Sequence, residues 1–265
     1  MIKLIVTDMD GTFLDDNKNY NKTLFAEVKK LIREKGIHFS ISTGKQTARV
    51  EEILEEDTKD FFIMGDSAAR IKHQDKFIYQ SLLKNVLGLK IIERLESLDT
   101  PHIVIASTEN GTFIKNTTSP RLQKRLSRSF SGIKLIPLYS DIKEDFIKIS
   151  VFDEQGNSIN TQSLLSDFSD EAYIVASEEK WIDIANHNVH KGTTVDILQK
   201  MLGVTYQETM VFGDGLNDIE LMEKGAFSFA MGNGYEETKA MANHVIGTNN
   251  EDSVLKTIMQ FLTQN

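Results

Sequence analysis

Cysteine is absent from the 265 residues, which removes disulfides and thiolate metal sites and leaves oxygen and histidine as ligands. Only three prolines are present, and no tract rich in Pro, Gly or Ser marks a linker or a low-complexity segment. Basic residues are the minority: 30 Lys and Arg stand against 39 Asp and Glu, for a net charge of -9. Without a long basic cluster, neither a nucleic acid nor an anionic membrane is an expected partner. The N-terminal apolar run is too short to span a bilayer and has no charged flank with a small-residue cleavage pattern, so neither anchoring nor export is expected. A reducing cytoplasm is the simplest compartment. What is present, 40% hydrophobic and 26% charged residues, is the composition of an ordinary globular protein large enough for one big domain or two smaller ones.

The N-terminal stretch TDMDGT poses a question of charge. Ile2 to Val6 reads as a strand buried on both faces, and it delivers Asp8 and Asp10 just past its end. With a period of two, both side chains leave on the same side. Two carboxylates held together repel, so a positive partner is expected between them.

The rest of the chain supplies a frame. A helix from about Asn21 to Gly36, a strand IHFSIST, a helix near Thr47 to Glu55 and a strand FFIM give β-α-β-α-β, hence a parallel sheet with right-handed crossovers. ARIKHQDKFIYQ reads as a hairpin turning near Gln74 and Asp75. The middle of the chain differs. Its order, α-β-β, α-β, α-β-β, with a hairpin at Asn110-Gly111 and helices at about 82–97, 120–130 and 158–168, describes an α+β module whose mixed sheet is largely antiparallel. From Lys191 the alternation returns. The predicted class is therefore α/β, with a discontinuous core of residues 1–82 plus 187–265 and an inserted cap of residues 83–186.

Three further loops follow the pattern of the core: STGK after the second strand, HKGTT opening a helix, and FGDGLND ending a later strand. In a parallel sheet such loops collect at the carboxyl edge, which brings Asp8, Asp10, Asp214 and Asp218 toward Thr43, Lys191 and Asn217. Carboxylates without thiol or histidine partners form a hard-oxygen site that suits Mg²⁺ better than zinc. A hydroxyl, glycine-turn N–H groups and a lysine are what a phosphate dianion requires, and a neutralised carboxylate facing it supports covalent catalysis. His187 and His190 lack a third histidine nearby and are not read as metal ligands. Trp181, alternating with Ile182 and Ile184, is assigned to packing in the inserted module in preference to substrate stacking.

In order and spacing, DMDGT, STGK, the KG of HKGTT and GDGLND resemble the four motifs of haloacid dehalogenase-like phosphatases, and the inserted module with AMGNG and TNNEDSV resembles the Cof-type subfamily. The resemblance implies a Rossmann-like parallel core with an inserted α+β cap. It implies Asp8 as nucleophile, Asp10 as general acid and base whose backbone carbonyl also ligates Mg²⁺, and Asp214 as the remaining protein ligand. It further implies that Asp218 supports the metal shell or Lys191, directly or indirectly, and that Thr43, Gly44, Lys191 and Asn217 hold the phosphate. Lys45, MGDSAA and Gly234 depart from the commoner family pattern at non-catalytic positions.

The expected activity is Mg²⁺-dependent hydrolysis of small phosphate monoesters, sugar phosphates first and flavin mononucleotide or other cofactor and nucleotide phosphates next. The expected protein is a monomer or small homo-oligomer whose partner is a small phosphorylated metabolite. Two alternatives are a sugar phosphomutase using the same aspartyl phosphate, which isomer formation would reveal, and a non-catalytic sensor of a phosphorylated metabolite, which absent turnover would favour.

Overall fold

The computed structural model describes residues 1–264. The first part runs β1 (Leu4–Thr7), α1 (Lys22–Glu34), β2 (His38–Ser42), α2 (Thr47–Leu54), β3 (Phe62–Gly65), β4 (Arg70–His73) and β5 (Lys76–Gln80). The middle runs α3 (Asn85–Glu96), β6 (His102–Thr108), β7 (Gly111–Lys115), α4 (Pro120–Leu126), β8 (Ile133–Ile136), β9 (Phe146–Asp153), α5 (Ser158–Ser163), β10 (Ala172–Glu178) and β11 (Trp181–Asn186). The last part runs α6 (Lys191–Leu202), β12 (Thr209–Gly213), α7 (Ile219–Met222), β13 (Phe227–Ala230), α8 (Glu236–Met241), β14 (His244–Val245) and α9 (Ser253–Gln264).

Two sheets result. The first has the order β14-β13-β12-β1-β2-β3-β4-β5, parallel from β14 through β3, with β4 and β5 added antiparallel at one edge. Its central strand β1 is apolar at every residue but Thr7 and wholly buried, because helices cover both faces. Phe25, Val28 and Ile32 of α1 and Leu255, Ile258 and Leu262 of α9 pack on one face. Val195 and Leu198 of α6 pack on the other with Leu221 and Met222. Asn21 caps α1 by accepting from the Leu24 N–H.

The second sheet has the order β10-β11-β9-β6-β7-β8 and is antiparallel except for the β7–β8 pair. Its strands sort side chains with period two. Ile149, Val151, Ile182 and Ile184 join the core under α3, while Lys148, Ser150, Phe152, Trp181 and Asp183 project from the opposite face. Both crossings between the sheets lie side by side: Asn186 Nδ2 donates to Ser81 Oγ at 3.0 Å.

Several local expectations differ from what forms. Strand β8 was not expected; it is a four-residue edge element with two exposed residues, and so carries little of the alternation that marks a strand. The helix predicted over 120–130 ends at Leu126, and the one over 158–168 ends at Ser163 before a 3₁₀ turn at Ser166–Phe168. The helix expected from Asn217 begins as a 3₁₀ turn, Leu216–Asp218, because the Asp218 carboxylate turns back onto the preceding backbone N–H groups. The β6–β7 hairpin turns on Glu109 and Asn110, with Gly111 at φ +140° pairing with Thr108.

Candidate active site

The carboxyl edge of the first sheet collects the predicted side chains. Asp8 follows β1, its N–H tied to the Phe212 carbonyl of β12 at 2.9 Å. Lys191 is the first residue of α6, whose start is capped by His190: its ring Nδ1 accepts from the Thr193 N–H at 3.4 Å and Thr193 Oγ1 accepts from the His190 N–H at 3.1 Å. His190 thus holds the helix end and lies outside the acidic cluster of Asp8, Asp214 and Asp218. Lys191 Nζ donates to Asp8 Oδ1 and to Asp218 Oδ1, each at 2.6 Å. The other oxygen of Asp218 accepts from the Asp214 and Gly215 N–H groups at 3.0 and 2.9 Å. Asp218 therefore orders the loop and the lysine while fully buried.

Asp8, Asp214 and Asp218 each present a carboxylate oxygen within 4.8 Å of the others. Three carboxylates, two of them buried and Asp214 half-buried, against one lysine leave the cluster short of positive charge. Burial, with repulsion from Asp218 and Asp214, raises the Asp8 carboxyl well above its usual range despite Lys191. Burial and the Asp218 charge push Asp214 up to about 7, with the hydrogen bond from Thr12 Oγ1 at 2.6 Å opposing them. Burial works against the charged form of Lys191, but Asp218 and Asp8 outweigh it and hold the ammonium protonated. Gly11 allows this approach: its φ is +75°, and a Cβ there would strike the Asp214 carboxylate.

Asp10 is placed differently. Its carboxylate is outside the trio and accepts from Lys18 Nζ at 2.9 Å and Lys45 Nζ at 2.7 Å. Burial alone would raise its proton affinity, yet the two lysines prevail and hold it below the usual carboxylate range.

Asp8, Asp10, Asp214, Thr43, Gly44 and Asn217 line one cavity of about 450 Å³ between the two sheets. Lys191 and Asp218 stand behind its wall and act on it through Asp8. The second sheet contributes Lys148, Ser150, Ser177, Glu178, Trp181 and Asp183, and the turn after β10 adds Glu179. Trp181 both packs, 4.7 Å from the Phe152 ring, and borders the cavity. Lys18, Thr12, Lys148 and Asp183 were not singled out from the sequence. For the last two a signal existed: a lysine inside FIKISVF and an aspartate inside WIDIA interrupt otherwise apolar strands, and a buried charge requires a partner.

Among the described residues, no helix is long and apolar enough to cross a membrane. A family model described as haloacid dehalogenase-like hydrolase matches residues 5–258. Over 264 residues the chain is 27% identical to the 5-amino-6-(5-phospho-D-ribitylamino)uracil phosphatase YbjI of Escherichia coli (strain K12), an alignment covering 98% of this chain and 96% of the relative. It is 25% identical over 275 residues to the HMP-PP phosphatase of Klebsiella pneumoniae (strain 342), covering 99% and 95%. The crystal structure of SMU.1108c from Streptococcus mutans UA159 superposes with a TM-score of 0.94 at 28% identity, covering 99% of this chain and 100% of that one.

Proposed function

The chain belongs to the haloacid dehalogenase-like hydrolase family as a phosphatase of small phosphate compounds, and from that premise we propose a Mg²⁺-dependent phosphomonoesterase working through an aspartyl phosphate on Asp8. The observation that carries this proposal is the charge-deficient trio of Asp8, Asp214 and Asp218 beside the Thr43–Gly44 turn. An all-oxygen donor set with two negative charges in excess of its lysine fits a divalent hard cation. Asp8, the Asp10 backbone carbonyl and Asp214 would hold Mg²⁺, with Asp218 indirect, since both its oxygens already accept hydrogen bonds. Bound there, Mg²⁺ supplies neutralisation of the phosphate and carboxylate charges.

The protein's own groups do the rest. Thr43, the Gly44 N–H and Asn217 receive the phosphate, while Lys191, behind the wall, holds Asp8 in place and favours its ionised form. A carboxylate oxygen of Asp8 attacks phosphorus and the bond to the leaving oxygen breaks, that oxygen taking a proton from Asp10. Water then attacks the phosphoryl group, gives its proton to Asp10 and returns Asp8 with release of inorganic phosphate. Asp10 must be protonated for the first step. The arriving dianion competes with Asp10 for Lys45 and Lys18, and loss of those partners raises its proton affinity.

Residues 83–186 act as a cap that excludes water and selects the leaving group. Aromatic Trp181, Phe130 and Tyr235 beside charged and hydroxyl side chains suit a small polar metabolite: a sugar phosphate first, then a flavin mononucleotide or other cofactor or nucleotide phosphate. A screen of several dozen phosphorylated metabolites with Mg²⁺, reading inorganic phosphate, tests this proposal. Absence of turnover across the panel would refute it, and isomer formation without phosphate release would make the enzyme a mutase.

A further inference from the structure

Lys148 lies inside β9 and is 3% exposed. An ammonium has three N–H donors, and each of these finds an acceptor: the Gly44 carbonyl at 2.6 Å, Ser67 Oγ at 3.1 Å and Asp183 Oδ1 at 3.2 Å. Asp183 Oδ1 is in turn held by Ser150 Oγ at 3.0 Å. Although Lys148 borders the cavity, its head has no donor left for a substrate. Two of its three acceptors belong to loops of the first sheet, so the side chain crosses from one sheet to the other.

Its target is the turn that follows β2. The three carbonyls of that turn are all occupied: Thr43 O accepts from the Ser67 N–H at 3.2 Å, Lys45 O from the Asp66 N–H at 2.7 Å, and Gly44 O from Lys148. The loop supplying the first two donors holds Asp66, Ser67 and Ala68 at φ +56°, +57° and +66°, a conformation that persists only where its surroundings enforce it. In a trans peptide the carbonyl and the following N–H point in opposite directions. A grip on the Gly44 carbonyl therefore aims the Lys45 N–H, and that N–H donates to Thr43 Oγ1 at 3.2 Å. The fit is close: a Cβ on Gly44 would lie 3.3 Å from Asp183 Oδ2.

We propose that Lys148 is a positioning residue, a tie from the second sheet that orients the Thr43–Gly44–Lys45 turn for phosphate and makes anion affinity depend on the seating of that sheet. This inference rests on the assignment of Thr43 and Gly44 to phosphate binding. It separates Lys148 from residues that touch the leaving group, because its effect falls on the part common to every substrate.

The test uses the full chain with Mg²⁺ and reads two things: competitive inhibition by inorganic phosphate, and kcat/KM for an aryl phosphate and several sugar phosphates. The variants are Lys148→Met, the double variant Lys148→Met/Asp183→Asn, and Thr43→Val. The double variant removes the buried carboxylate that methionine alone would leave unpaired, so it is expected to lose less stability than Lys148→Met alone. Both Lys148 variants are expected to weaken phosphate inhibition about tenfold, the scale of one lost charge-assisted hydrogen bond. They should lower kcat/KM by a common factor, with the substrate ranking preserved. Wild-type phosphate inhibition in the double variant, or losses that scale with the leaving group, overturns the tie while leaving the turn's assignment intact. A wild-type enzyme insensitive to phosphate, or Thr43→Val matching it, overturns the turn's assignment and the tie together.

Discussion

Lys191 Nζ sits 2.6 Å from Asp8 Oδ1, a contact between residues 183 apart in the chain. Both side chains are buried, so the pair is not an ornament of the surface. Removing one member of a buried pair typically costs about 3–5 kcal/mol, because the other is left uncompensated. Lys191→Met leaves Asp8 and Asp218 facing each other without a cation. The expected result is a marked drop in melting temperature in EDTA, partial recovery with Mg²⁺, and loss of turnover by roughly 10²-fold or more, as for removal of a preorganised charge. An unchanged melting temperature in EDTA would show that the lysine does not neutralise the cluster.

The two carboxylates of the opening stretch should separate in kinetics. In the proposed reaction Asp8→Asn is expected to abolish turnover of every substrate, since an amide cannot serve as the nucleophile. Asp10→Asn keeps the backbone carbonyl but loses the proton donor, a loss of about 10²–10⁴-fold that weighs most on poor leaving groups. An aryl phosphate should then give a burst near one equivalent of alcohol per enzyme, with a phosphoenzyme trapped on rapid quenching, while a sugar phosphate scarcely turns over. Equal losses for the two substrate types without a burst would remove Asp10 from the acid–base role.

If Asp214 holds the proposed metal, metal dependence and pH should be linked through it. Burial and the Asp218 charge push this group up to about 7 in the folded chain, against about 3.9 in the unfolded one. Between those values the folded state binds more protons, so stability in EDTA falls as pH rises through that window and levels off above it. Mg²⁺ binds the ionised form, so its gain in melting temperature should grow from pH 5 to pH 8. A gain that stays constant over that range would count against Asp214 as a ligand. Activity should vanish in EDTA and return with Mg²⁺ or Mn²⁺, with Ca²⁺ a poor substitute because its larger shell disturbs in-line geometry.

Gly11→Ala tests the close approach of the first loop to Asp214. The added methyl group meets the carboxylate, and φ +75° is unfavourable for alanine. A loss of about 1–3 kcal/mol in stability is expected from the strained backbone, together with a higher Mg²⁺ requirement. A variant with unchanged Mg²⁺ titration would show that Asp214 can shift without consequence.

Trp181→Ala probes selection by the second sheet. The ring borders the cavity and packs on Phe152, so its loss should change KM and the order of preferred substrates more than the catalytic step. A full panel with the order untouched would place selection in the first sheet.

The parts of this architecture that declare themselves locally were legible in the sequence. Buried parallel strands such as Leu4–Thr7 write continuous apolar runs, and the four polar loops follow recognisable punctuation. Edge strand Ile133–Ile136 left no such trace, since half its side chains are exposed and its partner, β7, is reached across the α4 connection. Lys148 and Asp183 were visible as charges in apolar strands, but their partners on Gly44, Ser67 and Ser150 depend on which strands become neighbours and how the two sheets face. The lysine grip on Asp10 escaped for the same reason: Lys18 and Lys45 carry no sign of which carboxylate they will meet.

The pairing of β1 with β12, Leu4 opposite Thr209, also has a consequence in time. At a ribosomal rate of about 5–20 residues per second, the strand bearing Asp8 waits roughly 10–40 s for that neighbour. Meanwhile the inserted region is synthesised whole and can close its own sheet from strands near in sequence, whereas the first sheet cannot complete its centre until the last quarter of the chain emerges. A nascent chain halted before Thr209 therefore exposes the open edge of β1, the kind of surface that chaperones cover and that seeds aggregation.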